Sequence, residues 1–347
     1  MRQEIRIRDR TIGEGRPLFV IAETGVTCNY DMTISKELID AVRAAGADAI
    51  KFIFWFPDEI MSDRSIEYGY DTLEGPRSEN MYAMLDKLRF SFEQWVELKG
   101  YADARGVIVF STVNSPTGIE WAEKLGLEAY KLSSWDYNYV PLWRRIAALG
   151  KPMIIDTGPV NATEVAQALQ LMRDAGNDQS ILLHCPHAER PSEVNLRSIP
   201  YMRAAFNSVV GFSSKGRESE TDIAAVALGA AVLEKRLTMR RTLPGHHHIL
   251  SLEPDEFTAY VRTIRDVQAS LGVLDLVPSS ADLAERPRWF RHLVATRALS
   301  RGARLTEGML DGKRPEAGIS PAFLEMFVGR ELKRDLRADE AIRWDDV

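Results

Sequence analysis

One pattern recurs along the first 275 residues: a short apolar, β-branched run followed by a segment with helical periodicity. The runs are "LFVIAE" (18–23), "DAIKF" (48–52), "VIVFST" (107–112), "EAYKLSS" (128–134), "PMIIDTG" (152–158), "SILLHC" (180–185), "SVVGFSS" (208–214) and "AVLEKR" (231–236). The segments include "ISKELIDAVRAAG" (34–46), "FEQWVELKGYADARG" (92–106), "ATEVAQALQLMRDAG" (162–176) and "ETDIAAVALGA" (220–230). Nearly continuous hydrophobic strands belong in a parallel sheet that is covered on both faces. The pattern therefore predicts an α/β fold, a (β/α)8 TIM barrel.

A doubly wound open sheet is the alternative fold, but no GxGxxG turn follows the first strand. The segment "VPSSADLAERP" (277–287) breaks the pattern with proline, serine and charge, so we interpret it as a linker. The sequence thus divides into a barrel domain (1–276), this linker, and a C-terminal domain (288–347) of short strands and helices. A domain of about 60 residues buries little core by itself, and we expect it to pack against its own barrel or a partner's.

Composition limits the classes of partner. The chain has 347 residues, a formal net charge of −6 and a pI of about 5.7, which argues against nucleic acid. Its two cysteines, Cys28 and Cys185, imply no disulfide framework. The N-terminal "MRQEIRIRDR" is not an apolar signal segment, and no run approaches 18 apolar residues. We expect a cytoplasmic protein with no membrane partner.

Charged and hydroxyl side chains gather where the predicted strands end, which is the catalytic face of such barrels. They are Glu23, Lys51, Ser111, Thr112, Lys131, Ser133, Ser134, Asp156, Thr157, His184, His187, Ser213, Ser214, Lys215, Glu234, Lys235 and Arg236. Four of them, Lys51, Lys131, Lys215 and Arg236, are cations that would repel one another in a small volume. A phosphate or carboxylate is the natural counter-charge. The residues therefore predict an enzyme acting on a small anionic metabolite.

Three consecutive histidines, His246 to His248, follow the last predicted strand. Adjacent residues of an extended loop point to opposite sides, so only His246 and His248 could share a face. Two ligands are too few for a closed metal site, although His187 could join them. A loop that contacts substrate or solvent is the alternative, and the sequence leaves the choice open.

Ten blocks resemble, in chain order, the sialic acid synthase (N-acetylneuraminate synthase) family. They are "VIAETGVTCNYD", "AGADAIKF", "YKLSSWD", "KPMIIDTG", "LLHC", "VNLRSIPYMRAAF", "VGFSSKG", "AAVALGAAVLEKRLT", "LPGHHHILSLEPDEF" and "GKRPEAGISP". The resemblance covers nearly the whole chain and implies a TIM barrel followed by a small C-terminal antifreeze-like (SAF) domain. It also implies condensation of phosphoenolpyruvate with an amino-sugar aldehyde to a nonulosonic acid, in a domain-swapped homodimer.

The resemblance assigns roles to individual residues. Glu23 matches the acidic residue that meets the sugar and the reacting carbons. Arg314, in "KRPEAGI", matches the SAF-domain arginine that reaches the sugar in the partner's site. The positions that match the phosphoenolpyruvate cradle are Lys51, Thr112, Lys131, Ser134 and Ser213.

Several positions depart from the family pattern. The two histidine ligands of the family's divalent metal, Mn or Mg, lie in "GYSDHT" and "EKHFT", and Lys215 and Arg236 stand in their places. Cationic side chains cannot coordinate a metal, so we predict a site with no metal. The family's "PGPDH" aspartate is His247, a cradle serine is Asp156, and a cradle asparagine is His187. We include the last three among the predicted substrate-binding residues.

Three functional hypotheses follow. The first is a divergent sialic acid synthase-like transferase that joins phosphoenolpyruvate, or pyruvate, to a sugar aldehyde without the metal, using Glu23, Lys215, Arg236 and Arg314 as catalytic residues. The second is an aldolase that binds pyruvate as a Schiff base on Lys215. The third is a non-catalytic sugar-acid-binding protein that keeps the fold. The sequence does not identify the acceptor sugar.

Overall fold

The computed structural model describes residues 1–188 and 190–347, which form two compact units, Met1–Gly272 and Val273–Val347. In the described residues, no helix combines the length and apolar character needed to span a bilayer. The strands of the first unit are β1 (Glu4–Ile7), β2 (Arg10–Gly13), β3 (Phe19–Glu23), β4 (Ala49–Ile53), β5 (Glu67–Thr72), β6 (Gly75–Asn80), β7 (Ile108–Thr112), β8 (Tyr130–Leu132), β9 (Met153–Asp156), β10 (Ser180–His184), β11 (Val209–Ser213) and β12 (Val232–Arg236). Its helices are α1 (Met32–Ala45), α2 (Pro57–Ile60), α3 (Met81–Lys87), α4 (Phe92–Asp103), α5 (Pro116–Lys124), α6 (Val140–Ala148), α7 (Ala162–Asp174), α8 (Ser198–Phe206), α9 (Glu220–Ala227) and α10 (Pro254–Ser270).

Eight parallel strands close into a barrel in the order β3-β4-β7-β8-β9-β10-β11-β12. Each strand matches one of the eight runs predicted from the sequence to within one residue. The predicted TIM barrel is therefore confirmed, and the doubly wound open sheet is excluded. Closure is made by the pairing of β12 with β3, in which Arg236 lies opposite Glu23. The carboxyl ends of all eight strands therefore meet at one mouth, as the predicted site requires.

Local sequence sets the ends of the surrounding helices. In α1, the side chain of Asp31 accepts hydrogen bonds from the backbone N–H groups of Thr33 and Ile34. The helix stops at Gly46, whose φ of 71° is a left-handed conformation that glycine adopts without steric cost. Between these caps, Leu38 and Val42 lie one turn apart on the buried face. The same combination of cap and apolar face explains why the helical segments were recognisable in the sequence.

Alternate residues of each strand pack into two separate apolar cores, one between the strands and the helices and one inside the barrel. Outward-facing side chains such as Val20 and Phe52 pack against the helices. Inward-facing side chains such as Ile21 and Phe110 fill the barrel interior. The antiparallel hairpin β1–β2 adds Ile5 and further apolar residues to that interior core. Because strand side chains alternate, the last inward-facing residue of each strand points into the mouth.

Two hairpins, β1–β2 and β5–β6, were not predicted from the sequence. The β5–β6 pair has the sequences EYGYDT and GPRSEN, which are too polar and too rich in glycine to resemble a buried strand. Along β5 the side chains alternate between exposed and half-buried, so only one face of the hairpin packs on the barrel domain. This hairpin carries two tyrosines that become important at the mouth.

The second unit contains α11 (Ser280–Trp289), β13 (His292–Ala295) and β14 (Leu310–Lys313), with β13 and β14 antiparallel. Helix α11 occupies most of the segment predicted as a linker, and it starts with a capping box between Ser279 and Asp282. The unit has a small apolar core of its own, to which Leu293, Phe327 and Ile342 belong. A small C-terminal domain with its own core is thus present.

Candidate active site

The mouth of the barrel is lined by inward-facing residues at the carboxyl-terminal ends of the strands. Within or directly after the carboxyl-terminal part of each strand, these residues are Glu23, Lys51, Thr112, Lys131, Asp156, Cys185, Ser213, Glu234 and Arg236. The structure therefore brings together most of the predicted site residues. Cys185 was missed as a site residue, although it continues the every-second-residue pattern of the inward-facing Ile181 and Leu183. Burial raises the pKa of its thiol to about 12, so Cys185 is neutral in the site.

Lys131 lies at the centre of a buried charge network. Its ammonium is 2.7 Å from a carboxylate oxygen of Asp156 and donates a 2.7 Å hydrogen bond to Glu234. Ser213 also donates to Glu234, at 3.0 Å. Burial alone would lower the pKa of Lys131, but the two carboxylates outweigh it and raise that pKa. Lys131 is therefore a permanent cation held between two acids.

The two acids respond differently to burial. Burial acts to raise the pKa of Glu234, but Lys131 and Lys51 lower it to about 2. For Asp156, burial raises the pKa more than Lys131 lowers it. Glu234 is thus firmly ionised, and Asp156 is the member of the network that takes up a proton more readily.

Lys51 and Glu23 form a second ion pair, on neighbouring strands. The ammonium of Lys51 contacts the carboxylate of Glu23 and lies 3.9 Å from Glu234. The other oxygen of Glu23 accepts a 2.8 Å hydrogen bond from the backbone of Gly25. Burial lowers the pKa of Lys51 to about 8, and Glu234 opposes that shift. Contact with the carboxylate of Glu23 also favours the charged form of Lys51, so Lys51 is an ammonium at neutral pH.

Arg236 lies at the end of β12, and its guanidinium is held by the backbone. Its Nη1 donates a 2.6 Å hydrogen bond to the carbonyl oxygen of Lys215. Its Nε is buried and has no hydrogen-bond partner among the described residues. Burial lowers the pKa of Arg236, although it stays charged because the ordinary value is so high. Among residues 1–188 and 190–347, one guanidinium donor is thus left without an acceptor at the mouth.

Some strand-end residues face away from the mouth. Lys235 is fully buried on the outer side of β12, where its ammonium donates to Ser214 at 2.9 Å, to the carbonyl of Glu218 at 2.7 Å and to Asp222 at 2.9 Å. His184 bonds through a ring nitrogen to the carbonyl of Val194, at 2.6 Å. These groups secure loops around the barrel and do not line the site.

The histidine loop is mostly structural. His248 is buried, with one ring nitrogen 2.8 Å from the hydroxyl of Thr238 and the other 3.1 Å from Asn29, so both nitrogens are already used. His246 packs against Tyr68 and Tyr70 of the β5–β6 hairpin, with ring centroids 5.3 and 5.6 Å away. The expectation that His246 and His248 could share a metal-facing side therefore fails for His248.

His247 has a left-handed backbone, with a φ of 71°. Burial, followed by the charges of Arg236 and nearby cations, lowers its pKa well below the ordinary range. His247 is therefore a neutral, half-buried residue near the charges of the mouth, and its binding role stays a prediction. Tyr68 was not predicted as a site residue. Burial raises the pKa of its hydroxyl, and the nearby charge of Arg236 opposes that rise. Only the tertiary contact between hairpin and loop brings this tyrosine to the site.

The buried histidines predict an acid-sensitive fold. Burial lowers the pKa values of His246 and His248 to about 4, from 6.5. Between those two values the unfolded chain binds more protons, so the free energy of unfolding should fall as the pH falls. Each histidine contributes up to about 1.4 kcal/mol per pH unit in that window. Denaturant titrations of wild type and His246→Phe, between pH 4 and 6.5, should show a shallower slope in the variant. Equal slopes would contradict the role of His246.

Ser134, His187 and Gly158 adjoin one another at one side of the mouth. A Cβ placed on Gly158 would lie 2.5 Å from the Cβ of Ser134 and 3.2 Å from Nε2 of His187, so no larger residue fits there. His187 packs on the exposed indole of Trp135, with ring centroids 4.8 Å apart. Burial lowers the pKa of His187, and the charges of Lys215 and Arg236 lower it further.

Arg314 belongs to the second unit. It is exposed, its Nε donates a 2.6 Å hydrogen bond to the carbonyl of Trp289, and its guanidinium lies over the Trp289 ring at 5.7 Å. These contacts orient the side chain within its own unit. Its predicted action in a partner's site stays a prediction.

The class of this protein follows from three features: the closed eight-stranded barrel, the buried ion-pair network at its mouth and the C-terminal domain. Together they are features of an enzyme of the sugar-acid synthase class. A model of the NeuB family matches residues 38–275, and a model of the SAF domain matches residues 290–347. The chain belongs to the NeuB family. The resemblance drawn from the sequence is thereby confirmed.

Known relatives span the whole chain. An uncharacterized protein of Methanocaldococcus jannaschii is 34% identical over 99% of both chains. The N,N'-diacetyllegionaminic acid synthase of Legionella pneumophila is 31% identical over 96% of both. The crystal structure of the spore coat polysaccharide biosynthesis protein SpsE of Bacillus subtilis matches with a TM-score of 0.67 and 29% identity, over 99% of both chains.

The residues present do not fit the divalent metal that the resemblance implies. Lys215 and Arg236 stand at the two ligand positions, and neither charged group has a lone pair to give. Within residues 1–188 and 190–347, no group of three or more histidine, cysteine, aspartate or glutamate side chains is placed to hold a metal ion. Independence from metal remains a prediction.

Proposed function

We propose that this protein joins a three-carbon 2-oxo acid unit, supplied as phosphoenolpyruvate or pyruvate, to the aldehyde carbon of a sugar or amino sugar. The product is a nonulosonic-type 2-keto acid. Membership of the NeuB family supports the class of reaction. The observation that carries the rest is Arg236, a cation at a former metal-ligand position whose buried Nε has no acceptor among the described residues.

In this proposal Arg236 does the work of the missing Lewis acid. As the nucleophilic carbon attacks the aldehyde, negative charge grows on the aldehyde oxygen. The planar N–H donors of a guanidinium suit such an oxygen, and a buried donor acts more strongly than one in water. Lys215, whose carbonyl oxygen fixes Arg236, adds a second positive charge to the same side of the mouth.

The test is a mass-spectrometric screen of the purified protein. Phosphoenolpyruvate and pyruvate are each incubated with a panel of aldoses and amino sugars, with and without EDTA. A new 2-keto acid whose mass equals acceptor plus pyruvate supports the proposal. Pyruvate trapped on Lys215 by borohydride would indicate the Schiff-base aldolase instead, and ligand binding without any product would indicate a binding protein.

We further propose a cytoplasmic homodimer in which the SAF domain of one chain completes the partner's site. Helix α11 and the segment before it expose large apolar side chains. Leu274 and Leu276 are fully exposed, at 109% and 98%, and Trp289 is half exposed. Such a row of apolar residues favours burial against a second chain.

Mixed dimers test the action of Arg314 in trans. We expect Arg314→Ala and Arg236→Ala chains, each inactive alone, to recover up to about a quarter of wild-type activity after random exchange. Half of the dimers are then mixed, and each mixed dimer holds one intact site only if Arg314 acts on the partner's barrel. Activity is measured after refolding the two chains together, with each variant refolded alone as the control. No recovery in dimers shown to be mixed would count against the proposal.

A further inference from the structure

The turn between β3 and α1 contains two consecutive residues with a left-handed backbone. Asn29 and Tyr30 have φ values of 48° and 53°. Asparagine adopts this conformation often, but a tyrosine rarely does, because its Cβ crowds the following carbonyl oxygen. A strained backbone of this kind persists only where the surrounding contacts enforce it, and such residues cluster at functional sites. The contacts of Tyr30 therefore indicate which group the turn serves.

The side chain of Tyr30 explains why this backbone is tolerated. Its ring is buried and packs against Phe90 and Trp95, with ring centroids 5.0 and 6.3 Å away. Its hydroxyl lies 2.5 Å from the carbonyl oxygen of Ile53, which ends β4, and 3.0 Å from that of Gly25, two residues after β3. Burial raises the pKa of this hydroxyl well above its ordinary value, so it keeps a hydrogen to donate to these carbonyls. Tyr30 thus fastens the end of β3 to the end of β4.

Gly25 connects this contact to the active site. Its backbone N–H donates a 2.8 Å hydrogen bond to one carboxylate oxygen of Glu23, and the other oxygen contacts Lys51. A Cβ added to Gly25 would lie 2.4 Å from Cγ1 of Ile53 and 2.8 Å from the carboxylate oxygen of Glu23. Gly25 is therefore packed between these two side chains, and a shift of its backbone would move the carboxylate.

We infer that Tyr30 is a positioning residue, which holds the carboxylate of Glu23 against Lys51 through the backbone of Gly25. The inference rests on the proposed function, because it assigns Tyr30 to the predicted catalytic residue Glu23. The hydroxyl of Tyr30 fixes the carbonyl of Gly25, and the N–H of Gly25 fixes one oxygen of Glu23. The other oxygen is thereby directed to Lys51 before any substrate binds.

The variant Tyr30→Phe tests the inference, since it removes the hydroxyl and keeps the ring. We expect kcat for the synthesis identified by the screen to fall at least about tenfold, because a catalytic group misplaced by about 1 Å can cost about a hundredfold. The KM values should change much less, since Tyr30 acts through another residue. The matched control is Tyr101→Phe, which removes a hydroxyl that donates to Asp40 at 2.7 Å on the surface of α4. Its kcat should equal that of wild type.

Lys51 reports the position of Glu23 without turnover. The pKa of Lys51, which burial lowers to about 8, responds to the charged groups around it, which are Glu23, Glu234, Lys131, Asp156 and Arg236. If the carboxylate of Glu23 moves away in Tyr30→Phe, it no longer favours the ammonium, so the pKa of Lys51 should fall. Acetylation of Lys51 by acetic anhydride over a series of pH values, read by peptide mass spectrometry, should then follow a curve shifted to lower pH. Tyr101→Phe should give the wild-type curve.

A Tyr30→Phe chain that melts at a lower temperature but keeps the wild-type kcat and acetylation curve would overturn the inference, because the hydroxyl would then only stabilise the fold. If Tyr30→Phe does not fold, Gly25→Ala takes its place, since the added methyl displaces the same carboxylate. An unchanged kcat and curve in that variant would overturn the inference equally. If no acceptor reacts with wild type, the proposed function fails, and the acetylation curves alone decide the role of Tyr30.

Discussion

Replacing Arg236 by alanine should lower kcat on the order of 10²-fold or more, the loss seen when one oxyanion donor is removed from other enzymes. The guanidinium is already fixed by the carbonyl of Lys215, and its buried Nε–H has no acceptor in the part of the chain that the structure describes. It can therefore meet a developing alkoxide without reorganising. Because the substitution removes a group used in the transition state, kcat should fall much more than the apparent affinity for the acceptor changes.

The matched control is Arg240→Ala, which removes an exposed arginine from the same segment. We expect its kcat to stay close to that of wild type. Activity of the wild type should also survive EDTA. The idea fails if Arg236→Ala retains its kcat, or if a chelator abolishes activity that one divalent metal then restores.

Replacing Lys131 by methionine should lower the free energy of unfolding by about 3–5 kcal/mol, the cost of leaving buried charges without their partner. Lys131 is fully buried and pairs with both Asp156 and Glu234. Methionine has a similar length, so the loss reports the charge rather than a cavity. Denaturant titration at neutral pH measures the change, and the loss should shrink in acid, where the two carboxylates become protonated.

Lys36→Met provides the comparison at the surface. Lys36 pairs with Glu97, and the two side chains are 31% and 56% exposed to water. Such a pair contributes about 0–1 kcal/mol. If Lys131→Met were to cost no more than Lys36→Met, the central network would not hold the mouth together as described.

The barrel was predictable because its signal is local and repeated. Each strand is an apolar run, and each helix carries its own caps, as Asp31 and Gly46 show for α1. The positions of Glu23, Lys51 and Lys131 followed from the rule that strand ends meet at one mouth. Alternation along the strand could have refined that prediction, since it separates Cys185, which faces the site, from His184, which does not.

The contacts between side chains of different elements at the mouth were not predictable from the sequence. The sequence shows four cations but not that Lys131 is shared by two acids from β9 and β12, which are distant in the chain. Nor does it show that Tyr68 and Tyr70 reach His246, because that contact joins an unpredicted hairpin to a loop far along the chain. These features depend on side-chain packing between elements, which has no local signature.

Strand β12 has a consequence for how this enzyme can diversify. Its consecutive residues Glu234, Lys235 and Arg236 alternate between the substrate side and the helix side, and all three carry charge. Deleting or inserting one residue would rotate Lys235 into the cavity and press Glu234 and Arg236 against Asp222 and the surrounding apolar layer. New chemistry can therefore arise in this strand only by exchanging one side chain for another at constant length. Arg236, which stands where the resemblance implies a histidine, is an exchange of that kind.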